Sequence, residues 1–259
     1  MIYVTGDTHG EFRERLTPGC TPGEEKWTAD DKLIVTGDFG LIFYPKMEPF
    51  AHRLREEKED LAFLEAKPYE ILFVDGNHEN FDRLEAEFPD EERWGGTVKR
   101  LGRNIFWLRR GQIYTIEGHT FFCMGGAYSL DKARRLNYDH SILAHYENSP
   151  MRHLSWWPQE QPDDREYRLA AANLEKYGKK VDYVLTHEAP GCVIRMMRRA
   201  PDEHEAELCG FLDWVWYEAD FRHWFFGHWH IDADVVEGRA TALYFDVCRI
   251  PEENERQGD

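Results

Sequence analysis

The sequence predicts an α/β layered fold, and three observations support this prediction. Short apolar runs recur along the 259-residue chain, and each of them stops at Asp, Asn or His. Unbroken apolar runs of this length are typical of strands that are buried on both faces. Charged segments with apolar residues at roughly helical spacing lie between the runs. Such alternation implies helices layered on a sheet, with ligands beyond the carboxyl ends of the strands.

Five runs predict the strands that would carry a site: MIYVTGD, KLIVTGD, EILFVDGNH, DYVLTHE and HWFFGHWH. In the third run, the apolar residues 71–74 lead directly into a polar cluster that starts at Asp75. A buried strand would hold such a cluster in a rigid position. Because ligands collect at the carboxyl ends of the strands in α/β sheets, we expect the five strand ends to meet at one place.

Two longer segments predict helices that would cover the sheet. Residues 45–67 have apolar positions at roughly helical spacing amid charge. A second helix is expected to start after Pro162 and to stop at Gly178. Residues 128–165 show no regular pattern and are rich in aromatic, His and Arg side chains, which predicts an irregular insertion or lid.

The chain shows no internal repeat and no Ser/Gly-rich linker. We therefore expect one domain over residues 1–250, followed by a polar tail at 251–259. No apolar run approaches the roughly eighteen residues needed to span a bilayer, and no basic leader opens the sequence. These features predict a soluble cytoplasmic protein without a membrane segment.

The charge balance limits the classes of partner. The chain has 49 acidic and 32 basic residues, a net charge of −17. Affinity for polyanions depends largely on Lys and Arg, so this balance argues against a general binder of nucleic acid or of anionic membranes.

Polar residues of metal-ligand type follow the five predicted strands. They are Asp7, His9, Asp38, Asn77, His78, His187, His228 and His230. Asp7 and His9 are two positions apart, as are His228 and His230, so each pair can project on one side of its strand end. Carboxylate and imidazole are ligands for zinc, manganese and iron(II), and a lone carboxylate such as Asp38 can bridge two ions.

Glycines precede most of these strand-end residues, at Gly6, Gly37, Gly76 and Gly227. A residue without Cβ lets the backbone turn sharply and approach a crowded site. Each strand-end motif alone is weak evidence for a metal site, because an isolated Asp-x-His is more often a solvated turn. Five strand ends with the same chemistry favour a metal site.

The motifs GDTHG, GDFG, GNHE, THEAP and GHWH occur in this order between residues 6 and 230. The set resembles the five motifs of the calcineurin-like metallophosphoesterases, and the chain is similar to bacterial and phage members of that family. The resemblance implies a four-layer α-β-β-α sandwich of two mixed sheets with flanking helices. It also implies a dinuclear metal centre at the strand ends.

The resemblance assigns a role to each motif residue. It implies a first ion held by Asp7, His9 and His230, a second ion held by Asn77, His187 and His228, and Asp38 bridging both. His78 would be the catalytic histidine. The cofactors implied are two divalent cations, with manganese expected first and iron, zinc or a mixed pair also compatible.

The activity implied is metal-dependent hydrolysis of phosphoric esters. Two divalent cations can generate a bridging hydroxide near neutral pH and clamp the phosphoryl oxygens. A protonated His78 would neutralise charge in the transition state and donate a proton to the leaving oxygen. Asp75 and Glu79 are candidates to orient His78 or the metal ligands, with ordinary turn carboxylates as the alternative.

The second motif departs from the Ser/Thr protein phosphatase branch. That branch has a further Asp and Arg that hold phosphate, whereas this chain reads GDFGLIFYP. The stretch GGAYSLDKARR is similar to a bacterial and phage pattern, and we predict that its Arg135 contacts substrate phosphate. Solvated charge at Arg135, Arg134 and Lys132 is the alternative.

A second basic cluster, CVIRMMRRAP, predicts a helix with three arginines on one face. Arg195, Arg198 and Arg199 would either grip a polyanionic substrate or form a solvated helix face. Trp229, between two motif histidines, would either stack on an aromatic leaving group or be buried.

The leading functional hypothesis is a phosphomonoesterase acting on a small molecule or a phosphoprotein. The alternative is a phosphodiesterase or nuclease acting on nucleotides or nucleic acid, against which the acidic composition weighs. A third hypothesis is a non-catalytic scaffold, which loss of ligands would have supported. The sequence leaves open the physiological substrate, the oligomeric state and the protein partners.

Overall fold

The computed structural model describes residues 1–146, 149 and 151–251. Its strands are β1 (Ile2–Thr5), β2 (Lys32–Thr36), β3 (Glu70–Val74), β4 (Asp90–Arg93), β5 (Gly96–Arg100), β6 (Ile105–Leu108), β7 (Ile113–Ile116), β8 (His119–Met124), β9 (Tyr183–Thr186), β10 (His223–Phe226), β11 (Ala233–Val236), β12 (Ala240–Ala242) and β13 (Val247–Ile250). Its α-helices are α1 (Phe12–Arg15), α2 (Ala51–Glu65), α3 (Phe81–Glu87), α4 (Lys132–Leu143), α5 (Asp164–Lys176), α6 (Gly191–Met196) and α7 (Ala206–Glu218).

The strands form two mixed sheets. The first has seven strands in the order β13-β1-β2-β3-β6-β5-β4, with β1, β2, β3 and β6 parallel. The second has six strands in the order β11-β12-β10-β9-β8-β7, with β8, β9, β10 and β12 parallel. All five strands predicted to carry the site are present. Three are neighbours in the first sheet, and two are neighbours in the second.

Both faces of the central strands are buried, which explains their unbroken apolar sequences. In β2, Ile34 packs into the core between the two sheets, while Leu33 and Val35 pack on the opposite face beneath the helices. That outer cluster includes Leu64 of α2 and Leu84 of α3. A third cluster joins the second sheet to α5, α6 and α7. The four-layer arrangement is therefore confirmed.

The two predicted covering helices are present with shorter bounds. The segment 45–67 contains a 3-10 turn, Glu48–Phe50, and then α2. For α5, Asp163 accepts hydrogen bonds from the backbone N–H groups of Arg165 (2.8 Å) and Glu166 (3.0 Å), and the Glu166 carboxylate accepts from the Asp163 N–H. With Asp163 as the N-cap, this capping box starts α5 at Asp164, two residues after Pro162.

The prediction of irregular structure over residues 128–165 is wrong in part, because α4 lies within it. The buried side chains of α4 are Arg135 and Asp139, so the face that packs inward is charged. Hydrophobic periodicity could not have revealed such a helix. That the segment is an insertion or lid stays a prediction, as do the domain bounds. Residues 147, 148, 150 and 252–259, which include most of the expected tail, lie outside the described residues.

Within the described part of the chain, no helix is both long enough and apolar enough to cross a bilayer.

Candidate metal centre

The carboxyl ends of five parallel strands bring the predicted ligands together. Asp7 and His9 follow β1, Asp38 follows β2, and Asn77 follows β3. His187 follows β9, and two further histidines follow β10. Since the first three strands belong to one sheet and the last two to the other, the site lies where the ends of the two sheets face each other.

One group of ligand atoms belongs to Asp7, His9 and His230. The distance from His230 Nε2 to Asp7 Oδ2 is 3.3 Å, and from His230 Nε2 to His9 Nε2 it is 3.0 Å. His9 Nε2 lies 4.0 Å from Asp7 Oδ2. Ligand atoms that share a divalent cation with bonds of about 2.0–2.2 Å lie roughly 3–4 Å apart. The group therefore fits a cation, with lone pairs that converge on one point.

A second group centres on Asp38, whose two oxygens face different histidines. His187 Nε2 lies 3.4 Å from Asp38 Oδ1, and His9 Nε2 lies 3.8 Å from Asp38 Oδ2. Asn77 Oδ1 lies 3.2 Å from the same His187 nitrogen. This is the arrangement expected of a carboxylate that serves two ions.

His228 adjoins these groups, but its Nε2 faces another acid. Its ring lies 4.9 Å from the His187 ring, and its backbone N–H donates to both Asp7 oxygens, at 3.1 and 3.0 Å. Its Nε2 is 3.6 Å from Glu188 Oε2. The structure thus brings all seven predicted ligands to one place and adds Glu188, which the sequence did not indicate.

Backbone strain is concentrated at the ligands. Eight non-glycine residues of the described chain have positive φ, between 44° and 64°. Half of them are predicted ligands, namely His9, Asp38, His228 and His230. Each such conformation costs about 1–3 kcal/mol and persists only where the surroundings enforce it, which is common at functional sites. Strain at four ligands supports the metal centre independently of the distances.

Two glycines allow the close approach that the sequence predicted. A Cβ at Gly76 would collide with the Asp38 carboxylate, and a Cβ at Gly227 would collide with the Asp7 carboxylate. Neither carboxylate could keep its place beside a larger residue. The glycines are therefore required for packing the ligands together.

The electrostatics favour anionic carboxylates. Asp7 is fully buried and Asp38 is 2% exposed. Burial alone would raise the pKa of Asp38, but the charges of His187, His78 and His9 hold it well below its usual range. Burial would likewise lower the pKa of His187, yet Asp38 and Asp7 raise it to about 10. Asp38 is thus in the anionic form that binds cations.

His78 and Arg135 lie together beside the ligands. The His78 backbone N–H donates to Asp38 Oδ1 at 2.8 Å, and its Nε2 lies 2.5 Å from Arg135 Nη2. Arg135 donates to Asp131 Oδ1 (2.6 Å) and to the Ser155 carbonyl (2.9 Å). Burial lowers the pKa of His78 to about 4, since the opposing charge of Asp38 only partly offsets it. Burial therefore favours the neutral ring of His78 in the metal-free protein, and the protonated form expected during catalysis stays a prediction.

Residues 1–232 match the family model of the calcineurin-like phosphoesterases. This chain belongs to the calcineurin-like phosphoesterase family. Members of the family act on phosphate esters, and the converging acid and imidazole groups of this chain agree with its membership.

The chain is also similar to a curated protein, the lariat debranching enzyme of Caenorhabditis briggsae. The two are 26% identical over 196 residues, which is 73% of this chain and 36% of that enzyme. The chain thus spans about a third of the relative's length. This similarity gives no support to the expectation that nucleic acid is excluded as a substrate.

Two solved structures are similar to this chain, both at low TM-scores. A Staphylococcus aureus protein named as a proposed 5'-nucleotidase has a TM-score of 0.47 and 14% identity, over 95% of this chain and 49% of its own. Phosphopantetheinyl hydrolase from Mycobacterium tuberculosis has a TM-score of 0.40 and 17% identity, over 94% of this chain and 89% of its own.

The Asp75 carboxylate, predicted to orient His78 or a metal ligand, forms its hydrogen bonds with other residues. Asp75 Oδ1 accepts a hydrogen bond from Trp107 Nε1 (2.9 Å), and Oδ2 accepts from Arg110 Nε (2.8 Å). Both oxygens are thus engaged by partners other than His78. Because Asp75 is fully buried, the Arg110 charge is required to balance it, and the pair is structural.

Glu79 supports a metal ligand rather than His78. Its Oε1 accepts hydrogen bonds from the backbone N–H groups of Phe39 (2.7 Å) and Gly40 (3.4 Å), directly after Asp38. These bonds fasten the turn that holds Asp38 in its left-handed conformation. The prediction that Glu79 orients a ligand agrees with these contacts.

Two residues that position Asn77 were not predicted. Asn77 Nδ2 donates to Ser129 Oγ (3.1 Å), and Ser129 Oγ donates to Glu160 Oε2 (2.5 Å). Because the amide nitrogen is held in this way, Asn77 Oδ1 faces His187. No local signal marks Ser129 or Glu160, since both come from the segment that lacks a regular pattern.

The predicted arginine face is wrong. Helix α6 ends at Met196, and Arg198 has a φ of 60°, so Arg198 and Arg199 lie beyond the helix. Arg195 pairs with Asp213 at 3.1 Å. Trp229 is partly buried against the core, and the Arg199 guanidinium lies 5.0 Å from its ring.

Proposed function

We propose that this phosphoesterase hydrolyses phosphomonoesters at a centre of two divalent cations. The observation that carries the proposal is the convergence of the ligand atoms beside the His78–Arg135 pair. Asp7, His9 and His230 would hold one ion, Asp38 would hold both, and Asn77, His187 and His228 would hold the other. Manganese is the metal we propose first. Iron and zinc also fit, because mixed oxygen and nitrogen ligands accept all three.

Two bound cations would supply an activated water and neutralise the phosphoryl oxygens. Arg135 would contact the phosphate, since Asp131 and Ser155 hold its guanidinium while Nη2 points toward His78. Planar guanidinium suits phosphate because it offers paired donors.

His78 would pass a proton to the leaving oxygen. A neutral ring is the starting form, because burial lowers its pKa to about 4. An anionic phosphate beside the ring would raise that pKa, since an opposite charge favours the protonated form. His78 would thus gain its proton when substrate binds and lose it to the leaving group.

Paired hydrolysis of p-nitrophenyl phosphate and bis-p-nitrophenyl phosphate tests the proposal. Metal-stripped and manganese-reloaded protein should differ, and only the reloaded form should release nitrophenol from the monoester. His78→Ala should reduce kcat by about 10²–10⁴-fold. His52→Ala, an exposed histidine on α2, is the matched control and should leave kcat unchanged.

A phosphodiesterase is the second candidate, favoured by the similarity to a protein named lariat debranching enzyme. Faster release from the diester would select it over the monoesterase. Absence of turnover with both esters and every metal would instead favour the scaffold, although the retained ligand set argues against that reading.

Arg135→Ala tests the phosphate contact separately. Loss of a charge-assisted contact should raise KM for the monoester by about tenfold, a free-energy change of about 1.4 kcal/mol. Arg134→Ala, the exposed neighbour on α4, is the control. An unchanged KM in Arg135→Ala would refute the assignment.

A further inference from the structure

We propose that Glu188, Glu205 and His228 form a third site for a divalent cation, beside the proposed dinuclear centre. One ligand atom from each of the three residues lies within 4.8 Å of the other two. None of the family motifs on which the sequence analysis relied assigns Glu188 or Glu205 a role. The inference concerns cation binding and does not require that the protein hydrolyse any ester.

The first argument is the environment of Glu188, which is fully buried. Its Oε1 accepts hydrogen bonds from the Ala189 N–H (2.6 Å) and from Trp229 Nε1 (2.7 Å). Among the described residues its Oε2 finds no hydrogen-bond donor, and it lies 3.6 Å from His228 Nε2. A buried carboxylate oxygen without a donor is costly, so it points to a missing positive partner.

Glu205 is the acidic neighbour of the Glu188 carboxylate. Glu205 is 3% exposed, and its Oε1 accepts a hydrogen bond from the Tyr128 N–H at 2.7 Å. One oxygen of each carboxyl group lies within 4.8 Å of the other and of a His228 ring nitrogen. In the described part of the chain, no Lys or Arg forms an ion pair with Glu188 or Glu205, although Arg199 lines the adjoining cavity. A cation bound between the two carboxylates would balance both of them.

The geometry suits a cation. Ligand atoms bound to one ion at about 2.0–2.2 Å are at most about 4.4 Å apart, so the three side chains need move little to enclose it. Two carboxylates and one imidazole suit manganese, zinc or iron(II) better than calcium or magnesium, which take oxygen ligands.

An ion can reach the site from outside. Glu188, Glu205 and His228 line a cavity of about 800 Å³, together with Trp229 and His230. His230 belongs to the proposed dinuclear centre, so the same cavity adjoins both. His228 is common to both sites. To hold the third ion with Nε2 and an ion of the dinuclear centre with Nδ1, its ring would bind as an imidazolate, with the N–H proton released to solvent.

Metal stoichiometry tests the proposal. Equilibrium dialysis against manganese, read by elemental analysis, should give three ions per wild-type chain and two in Glu205→Gln. Glutamine keeps an acceptor for the Tyr128 N–H, and circular dichroism would establish that the variant is folded. Glu203→Gln is the matched control, since Glu203 lines the same cavity but is exposed, and it should keep three ions.

Two ions in both the wild type and Glu205→Gln would overturn the proposal. So would three ions in both. A weakened affinity of the first two ions in Glu205→Gln, with no third ion in the wild type, would also overturn it and would make Glu205 a positioning residue for His228.

Anomalous diffraction from manganese-soaked wild-type crystals gives a test that needs no variant. A peak between Glu188, Glu205 and His228 supports the third site, whereas peaks only among the other ligands overturn it. These results are separate from turnover, because a protein with three bound ions and no hydrolysis would contradict only the proposed function.

Discussion

Two pairs of buried carboxyl groups lie within this site, and they behave in opposite ways. Asp7 and Asp38 are at most 2% exposed, and Glu188 and Glu205 are at most 3% exposed. Burial raises the pKa of Asp38, but imidazoles around it hold that pKa well below its usual range. Burial raises the pKa of Glu205 to about 8, and the charge of Glu188 adds to the effect.

Burial alone does not decide the charge of a carboxyl group in this protein. The neighbours decide it, because imidazolium stabilises a carboxylate and a second carboxylate destabilises it. Asp38 is therefore held in its anionic form without a metal. The glutamate pair holds a proton unless a cation replaces it.

Asp38→Asn should have the largest effect, because it removes the charge on which the imidazoles converge. We expect kcat to fall by about three orders of magnitude, which corresponds to about 4 kcal/mol, with loss of bound manganese. Steady-state kinetics and elemental analysis measure the two effects. Asp164→Asn, an exposed carboxylate of α5, should change neither. Full activity in Asp38→Asn would contradict the role of this pair.

Gly76→Ala should disturb the aspartate pair sterically without changing any charge. The added Cβ would collide with the Asp38 carboxylate and backbone. We expect a loss of about 1–3 kcal/mol in the free energy of unfolding, together with weaker manganese binding. Urea unfolding and a manganese titration would show both.

Gly210→Ala is the control for Gly76→Ala, because a Cβ at this position of α7 meets no atom within 4 Å. It should raise stability by about 0.5–1 kcal/mol, since alanine is the better helix former. Equal destabilisation by the two variants would mean that crowding at Asp38 is not the cause.

The glutamate pair should make the metal-free protein less stable as pH rises. The pKa of Glu205 is raised in the folded state, so the folded protein holds more protons than the unfolded chain between about pH 4.5 and 8. The contribution of Glu205 to the free energy of unfolding is therefore fully present below about pH 4.5 and is lost as pH rises toward 8. Urea unfolding at pH 5, 6.5 and 8 should show this slope, and Glu205→Gln should reduce it.

Glu203→Gln is again the matched control, and it should keep the wild-type slope because Glu203 is exposed. If the free energy of unfolding of Glu205→Gln changed with pH as it does in the wild type, the two glutamates would not be the source of the pH dependence.

Trp229→Phe should have the smallest effect. It removes the hydrogen bond from Trp229 Nε1 to Glu188 Oε1, so that Oε1 keeps only the donor from the Ala189 N–H. We expect a loss of about 1 kcal/mol in the free energy of unfolding, measured in urea at pH 7. Trp214→Phe, a partly buried residue of α7, is the control for the change in ring size. A stabilised Trp229→Phe would show that this hydrogen bond does not anchor Glu188.

The motif residues were predictable because a buried strand and its terminal ligand are adjacent in sequence. Asp7 directly follows the turn after β1, and Asn77 directly follows the turn after β3. Each strand end therefore carries its own signal, and parallel strands place those signals at one edge. The five strands, the covering helices and the converging side chains could be predicted for this reason, whereas the arrangement in two mixed sheets was implied by the family resemblance.

Contacts between distant segments could not be predicted in the same way. Asp75 was expected to face His78, but Trp107 and Arg110 bind both of its oxygens. Helix α4 was missed because its inward face is charged. In each case the partner lies more than thirty residues away or on another element, where local patterns carry no information.

The amino-acid sequence by itself determined which residues could bind metal, because ligand type and strand position are local properties. Only the tertiary structure decided what surrounds each of them. It placed Arg135 against His78, Ser129 against Asn77, and Glu205 against Glu188. The physical reason is that charge, burial and hydrogen bonding depend on neighbours in space, and folding brings those neighbours together from separate parts of the chain.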